Sequence, residues 1–163
     1  MKGAWTLEVR APFVVYATSA LIREAFEHVT IAYPYEAETN GIHIRVRPVF
    51  IDEQSSPEDD RFLWAYHVEI ENRAGRTLQL MTRHWRITDG DGRVQLVDGA
   101  GVIGKQPVLR PGARFEYTSG CPLTTPSGLM QGAYRFEDEK GSSVEATIPL
   151  FALDSPYDDR RPN

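Results

Sequence analysis

The stretch Leu78-Gln79-Leu80-Met81-Thr82-Arg83-His84-Trp85-Arg86-Ile87-Thr88-Asp89-Gly90-Asp91-Gly92-Arg93-Val94-Gln95-Leu96 reads as two strands and the turn between them. Apolar residues alternate with polar ones, the period of a pleated strand that buries one face. Leu78 and Leu80 share one parity, whereas Trp85 and Ile87 share the other. A strand cannot change faces without an extra residue, so the pattern predicts a β-bulge between Met81 and His84. The alternative is a strand with apolar neighbours on both faces. Asp89-Gly90-Asp91-Gly92 supplies the residues of a tight reversal and closes a hairpin onto Val94 and Leu96.

The same period extends in both directions. Upstream, Ile42, Ile44 and Val46 oppose His43, Arg45 and Arg47, and Trp64, Tyr66, Val68 and Ile70 oppose Ala65, His67, Glu69 and Glu71. A polar loop from Asp52 to Asp60 and a turn at Asn72-Arg73-Ala74-Gly75 separate these runs. Downstream, Pro111-Gly112 turns into Phe115 and Tyr117, and a loop holding Pro122 and Pro126 leads to Met130, Gly132, Tyr134 and Phe136. Lys140-Gly141 then turns into Val144, Ala146, Ile148 and Leu150. About seven short strands with turns and no helices between them predict an all-β antiparallel sandwich or barrel. Residues 1–38 differ: Leu21, Ile22, Ala25 and Phe26 give one helical stretch, Ser19 to His28. The expected organisation is an N-terminal extension over 1–38, a β-domain over 39–155 and a polar tail over 156–163.

Composition bounds the partners. The chain has 163 residues and a net charge of −5, so a general affinity for nucleic-acid phosphates is not expected. No apolar run is long enough for a membrane-spanning helix, and Glu8 spoils the charge pattern of a secretory leader. Cys121 is the single cysteine, which precludes an internal disulfide. The sequence reads as cytoplasmic.

Several segments resemble the ApaG family. They are Gln79 to Asp89, then Gly99-Ala100-Gly101-Val102-Ile103-Gly104-Lys105-Gln106-Pro107, then Phe115-Glu116-Tyr117-Thr118-Ser119-Gly120 after Pro111-Gly112. Glu53-Gln54-Ser55, Thr125-Pro126-Ser127-Gly128-Leu129-Met130 and Ile148-Pro149-Leu150-Phe151 add to them. The resemblance covers roughly residues 40 to 155 in order and implies a fibronectin type III-like, immunoglobulin-like sandwich. It also implies a noncatalytic module for protein–protein interaction, because such domains occur inside a eukaryotic F-box protein and a polymerase-interacting protein. Bacterial members are often linked to cobalt and magnesium resistance or efflux, and their genes tend to lie near a diadenosine-tetraphosphate hydrolase.

Residue chemistry offers two candidate sites. Gly99, Gly101 and Gly104 have dinucleotide-fingerprint spacing after the strand Val94 to Val97, but Lys105-Gln106-Pro107 does not start a helix. What survives is an anion nest of backbone N–H groups for a nucleotide or pyrophosphate, aided by Lys105 and Arg110; the alternative is a tight structural loop. In the second cluster Arg83 can hold an anion, His84 can hydrogen-bond and Trp85 can stack on a ring. There the alternative is a core Trp85 with a structural His84 and an ion-paired Arg83. No metal site or cofactor is expected: His28, His43, His67 and His84 are scattered, and Asp89 and Asp91 suit a turn better than a calcium loop. A divalent ion on His43 and His67, or magnesium on the Asp52–Asp60 loop, is the weaker reading. No catalytic residue is expected, since nothing near Cys121 in sequence can activate it. The remaining expectations are a protein partner and a homodimer.

Overall fold

In a computed structural model the chain changes faces at Met81. The strand Leu78–Asp89 pairs with Gly128–Asp138, and its register shifts between Leu80 and Thr82. Leu78 and Leu80 before the shift, and Trp85 and Ile87 after it, are all buried on the same side. The extra residue therefore sits at the near edge of the predicted interval. The structure describes residues 32–159; the helix expected over Ser19 to His28 lies outside them.

Among the described residues nine strands follow in order: β1 Tyr35–Thr39, β2 Ile42–Phe50, β3 Phe62–Asn72, β4 Leu78–Asp89, β5 Val94–Ala100, β6 Val108–Leu109, β7 Arg114–Leu123, β8 Gly128–Asp138 and β9 Ser143–Leu153. They form two antiparallel sheets, β1-β2-β3-β7 and β5-β4-β8-β9, with β6 a short addition to β4. The only helical turns among the described residues are 3₁₀ segments at Asp52–Gln54 and Pro57–Asp59. The sheets face each other across Trp64, Tyr66, Trp85, Tyr134, Phe136 and Phe151, all buried. Trp85 meets Tyr66 and Phe151 edge-on, the geometry that aromatic quadrupoles favour. The fold is the predicted β-sandwich.

Three details differ from the expected strand pattern. β1 begins at Tyr35, across the boundary drawn at 38/39; Asn40 and Gly41, both at positive φ, turn it onto β2. Its five residues are half-buried or exposed, so no apolar alternation advertised it. Pro122 belongs to β7, not to a loop, and lies opposite Leu63. β7 is an edge strand, so the missing N–H can face outward. Leu150 does not share a face with Ile148: it is 52 % exposed, while Phe151 and Leu153 are buried. A second register shift, between Met130 and Gly132 on the partner strand, turns β9 over.

The two long sides of the sandwich differ. Where β1 meets β9, Asn40 donates to the Glu145 carbonyl at 2.8 Å and the Thr147 N–H donates to Thr39 Oγ1 at 3.3 Å. The opposite side, where β5 and β7 end their sheets, holds a groove of about 460 Å³.

Candidate functional site

The glycine loop follows β5. Gly101 sits at φ +60, Ile103 at +44 and Gly104 at +73, so Val102 to Lys105 turns back in the left-handed region. A β-branched residue at positive φ is a strained choice. The loop's own hydrogen bonds hold it there. Gly101 N donates to the Met81 carbonyl at 2.8 Å, Val102 N to the Lys105 carbonyl at 2.8 Å and Lys105 N to the Val102 carbonyl at 2.9 Å. These three N–H groups are thus satisfied by carbonyls instead of converging on one external point. A Cβ at Gly101 would overlap the Lys105 carbonyl oxygen, and one at Gly99 would lie 2.8 Å from Arg83 Nη1.

Arg83, His84 and Trp85 separate by parity. Trp85 is 1 % exposed and belongs to the core, so its ring is not presented to a ligand. Arg83 shares its parity and reaches the loop, where Nη1 donates to the carbonyls of Ala100 at 3.0 Å and Gly101 at 2.8 Å. Arg83 therefore meets the loop carbonyls instead of a carboxylate. The cleft it lines with Tyr66, Trp85, Val102, Ile103 and Tyr117 holds only about 10 Å³, less than any phosphate needs. His84 faces the other way, exposed, with Nδ1 2.5 Å from Asp98 Oδ1. Lys105 is exposed at the loop tip. The structure thus brings Arg83 to Gly99 and Gly101 and leaves His84 and Trp85 on opposite faces.

The remaining candidates have local partners. Asp89 Oδ1 accepts from Asp91 N and Arg93 N, and Gly92 takes φ +83, so the Asp-Gly run is a hydrogen-bonded turn. His43 and His67 share the outer face of the first sheet but lie opposite Glu71 and Arg47. His43 Nε2 is 3.1 Å from Glu36 Oε2, and His67 Nδ1 is 2.8 Å from Thr118 Oγ1. Among the described residues no three His, Cys, Asp or Glu gather as metal ligands. Burial pushes the Cys121 thiol up to about 12, so it stays protonated and a poor nucleophile at neutral pH.

The β5–β7 groove was not foreseen. It lies between the sheets, lined by Phe62, Leu63, Ile87, Val94, Pro122 and Leu123, with Arg61, Asp89 and Arg93 among its polar residues. The visible signals were Val94 and Leu96, apolar residues in a strand after a tight hairpin. Val94 is 47 % and Leu96 59 % exposed. Only the pairing of β4 with both β5 and β8 shows that β5 is an edge.

Two packed antiparallel sheets of this strand order make a fibronectin type III-like sandwich. Comparison with known proteins narrows the class. The ApaG domain family matches residues 52–138. Protein ApaG of Paramagnetospirillum magneticum is 56 % identical over 129 residues, covering 79 % of this chain and 99 % of that protein. Protein ApaG of Methylorubrum populi is 58 % identical over 123 residues, covering 76 % and 95 %. A crystal structure described as an ApaA protein of Bordetella pertussis superposes with a TM-score of 0.69 at 44 % identity, covering 78 % of this chain and all of that one. The chain belongs to the ApaG family.

Among the described residues no helix is long and apolar enough to cross a membrane.

Proposed function

We propose that this chain is a noncatalytic, cytoplasmic protein-binding module that takes up an extended segment of another protein along the free edge of β5. The observation that carries this reading is the β5–β7 side of the sandwich. Among the described strands β5 pairs only with β4, so its other row of N–H and C=O groups is available for a further strand. Exposed edges are normally defended by charged side chains, above all Lys, by Pro or by a bulge. Val94-Gln95-Leu96-Val97-Asp98-Gly99-Ala100 contains no Lys or Pro, pairs with β4 without a register shift, and exposes Val94 and Leu96; its one charge, Asp98, is taken up by His84. A strand laid there would point alternate side chains toward the apolar groove. In this reading the family's link to cobalt and magnesium resistance or efflux works through the bound partner.

Leu96→Lys tests it. A charge on the edge should change stability by less than about 0.5 kcal/mol, yet should remove partners captured from the source cell by the wild-type chain, counted by quantitative mass spectrometry. Equal capture by both forms would sink the reading.

A second reading is kept for the glycine loop, since Arg83 meets only carbonyls there and Lys105 is exposed. It assigns the loop a nucleotide or pyrophosphate, with or without a divalent ion. With three loop N–H groups already satisfied, calorimetric titration of pyrophosphate, with and without magnesium, should show nothing tighter than about millimolar, near −4 kcal/mol. Micromolar, saturable binding lost in Gly101→Val would promote this reading above the first.

A further inference from the structure

The outer face beside β5 carries a cation without a counter-charge. Arg86 is exposed on β4 and lies directly opposite Leu96. Its backbone pairs within the sheet, but among the described residues its guanidinium has no ion pair. Three arginines around the other sheet's outer face contrast with it: Arg45 lies on Glu69, Arg73 on Glu38 and Glu71, and Arg114 on Glu69 and Glu71. The acidic neighbour in the next row, Asp98, is held by His84. Around Arg86 the surface is apolar or uncharged: Leu96 and Val94 on β5, Gln131 directly opposite on β8, and Leu129, 44 % exposed, opposite Thr88. Arginine is among the residue types enriched at interface hot spots, and its planar donors can take a carboxylate bidentately.

We propose that the segment bound at β5 is acidic on its outward side, placing a carboxylate opposite Leu96 where Arg86 reaches it. This rests on the strand-addition reading above. A strand added to β5 lies about 10 Å from β4, two strand spacings away. The extended arms of an arginine and a glutamate together span that distance over the Leu96 side chain. The partner's inward residues are then apolar, facing the groove, and its outward residues surround one Asp or Glu. On a chain of net charge −5 such a local preference for an anion runs against the overall field, so it must come from Arg86.

The test uses the full chain and three fluorescent nine-residue peptides of alternating Thr and Val whose central, outward residue is Glu, Gln or Lys. Binding is read by anisotropy at low salt. The Glu peptide should bind about fivefold more tightly than the Gln peptide, with the Lys peptide weakest, and Arg86→Glu should reverse the order of Glu and Lys. Equal binding of all three overturns the acidic preference but leaves strand addition standing. Glu preference unchanged in Arg86→Glu overturns the assignment to Arg86. Failure of every peptide overturns strand addition as well. A chain dimer seen by light scattering that Leu96→Lys dissociates assigns the edge to a second copy and overturns the proposal.

Discussion

Gly101 and Gly104 share a left-handed backbone but not an environment. A Cβ at Gly104 meets open space, whereas one at Gly101 overlaps the Lys105 carbonyl. Gly104→Ala should therefore cost about 1 kcal/mol, the conformational term alone. Gly101→Ala should cost about 3 kcal/mol or more, because the loop must open as well. Urea unfolding of both variants checks this, and equal costs would mean that the loop relaxes freely around residue 101. The sequence flagged these glycines but could not tell the two apart. Spacing announces a need for positive φ, not which atom crowds the missing side chain. Trp85 carries the same lesson. Its parity with Ile87 was legible, yet whether that face met a ligand or the other sheet depended on Tyr66 and Phe151, reached only through the fold.

At the scale of an element, the outer face of the β1-β2-β3-β7 sheet is a cross-strand ladder of charges. Glu69 lies opposite Arg45 on one side and Glu116 on the other. Burial pushes the Glu69 carboxyl up, but the Arg45 hydrogen bond, one shared with Glu116, and the charges of Arg45 and Arg114 outweigh it and leave the group below 4.5. Burial, and then the hydrogen bond and negative charge of Glu69, hold Glu116 above 4.5. Burial lowers His67 below 6.5. A lowered folded-state value gives stability that is complete above the unfolded value and lost as pH falls through the folded one. His67 and Glu69 therefore both lose their contribution on acidification, in windows starting near 6.5 and 4.5. Glu116 has the opposite sign: its contribution is complete below 4.5 and gone once pH has risen through its folded value. Two results are expected from urea midpoints between pH 4 and 7. Wild-type stability should fall as pH drops below 6.5. Glu116→Gln should raise stability at pH 7, by less than about 1 kcal/mol because that side chain is half exposed, while Glu69→Gln should lower it.

Across the whole molecule, β1 is tied into the described core. Tyr35 stands in β1 and packs against the core, its ring 6.0 Å from Phe151, and β1 staples the sandwich's closed side through Thr39. Deleting residues 1–31 should leave one cooperative thermal transition, whereas deleting 1–40 should lower its midpoint by several degrees or abolish it. Calorimetry distinguishes the two, and loss of the transition in the shorter deletion would show that the sandwich depends on residues before 32. By itself the sequence determined the strand period, the turns, the face change near Met81 and the family, because side-chain parity and turn chemistry are local properties. It did not determine β1, whose half-exposed residues lack apolar alternation, or the facing of Leu150, which a bulge reverses. Only the tertiary structure decided that β5 is an edge among the described strands, that the groove opens between it and β7, and that Arg86 stands beside Leu96 with no carboxylate among the described residues. Each depends on which strands, distant in sequence, become neighbours.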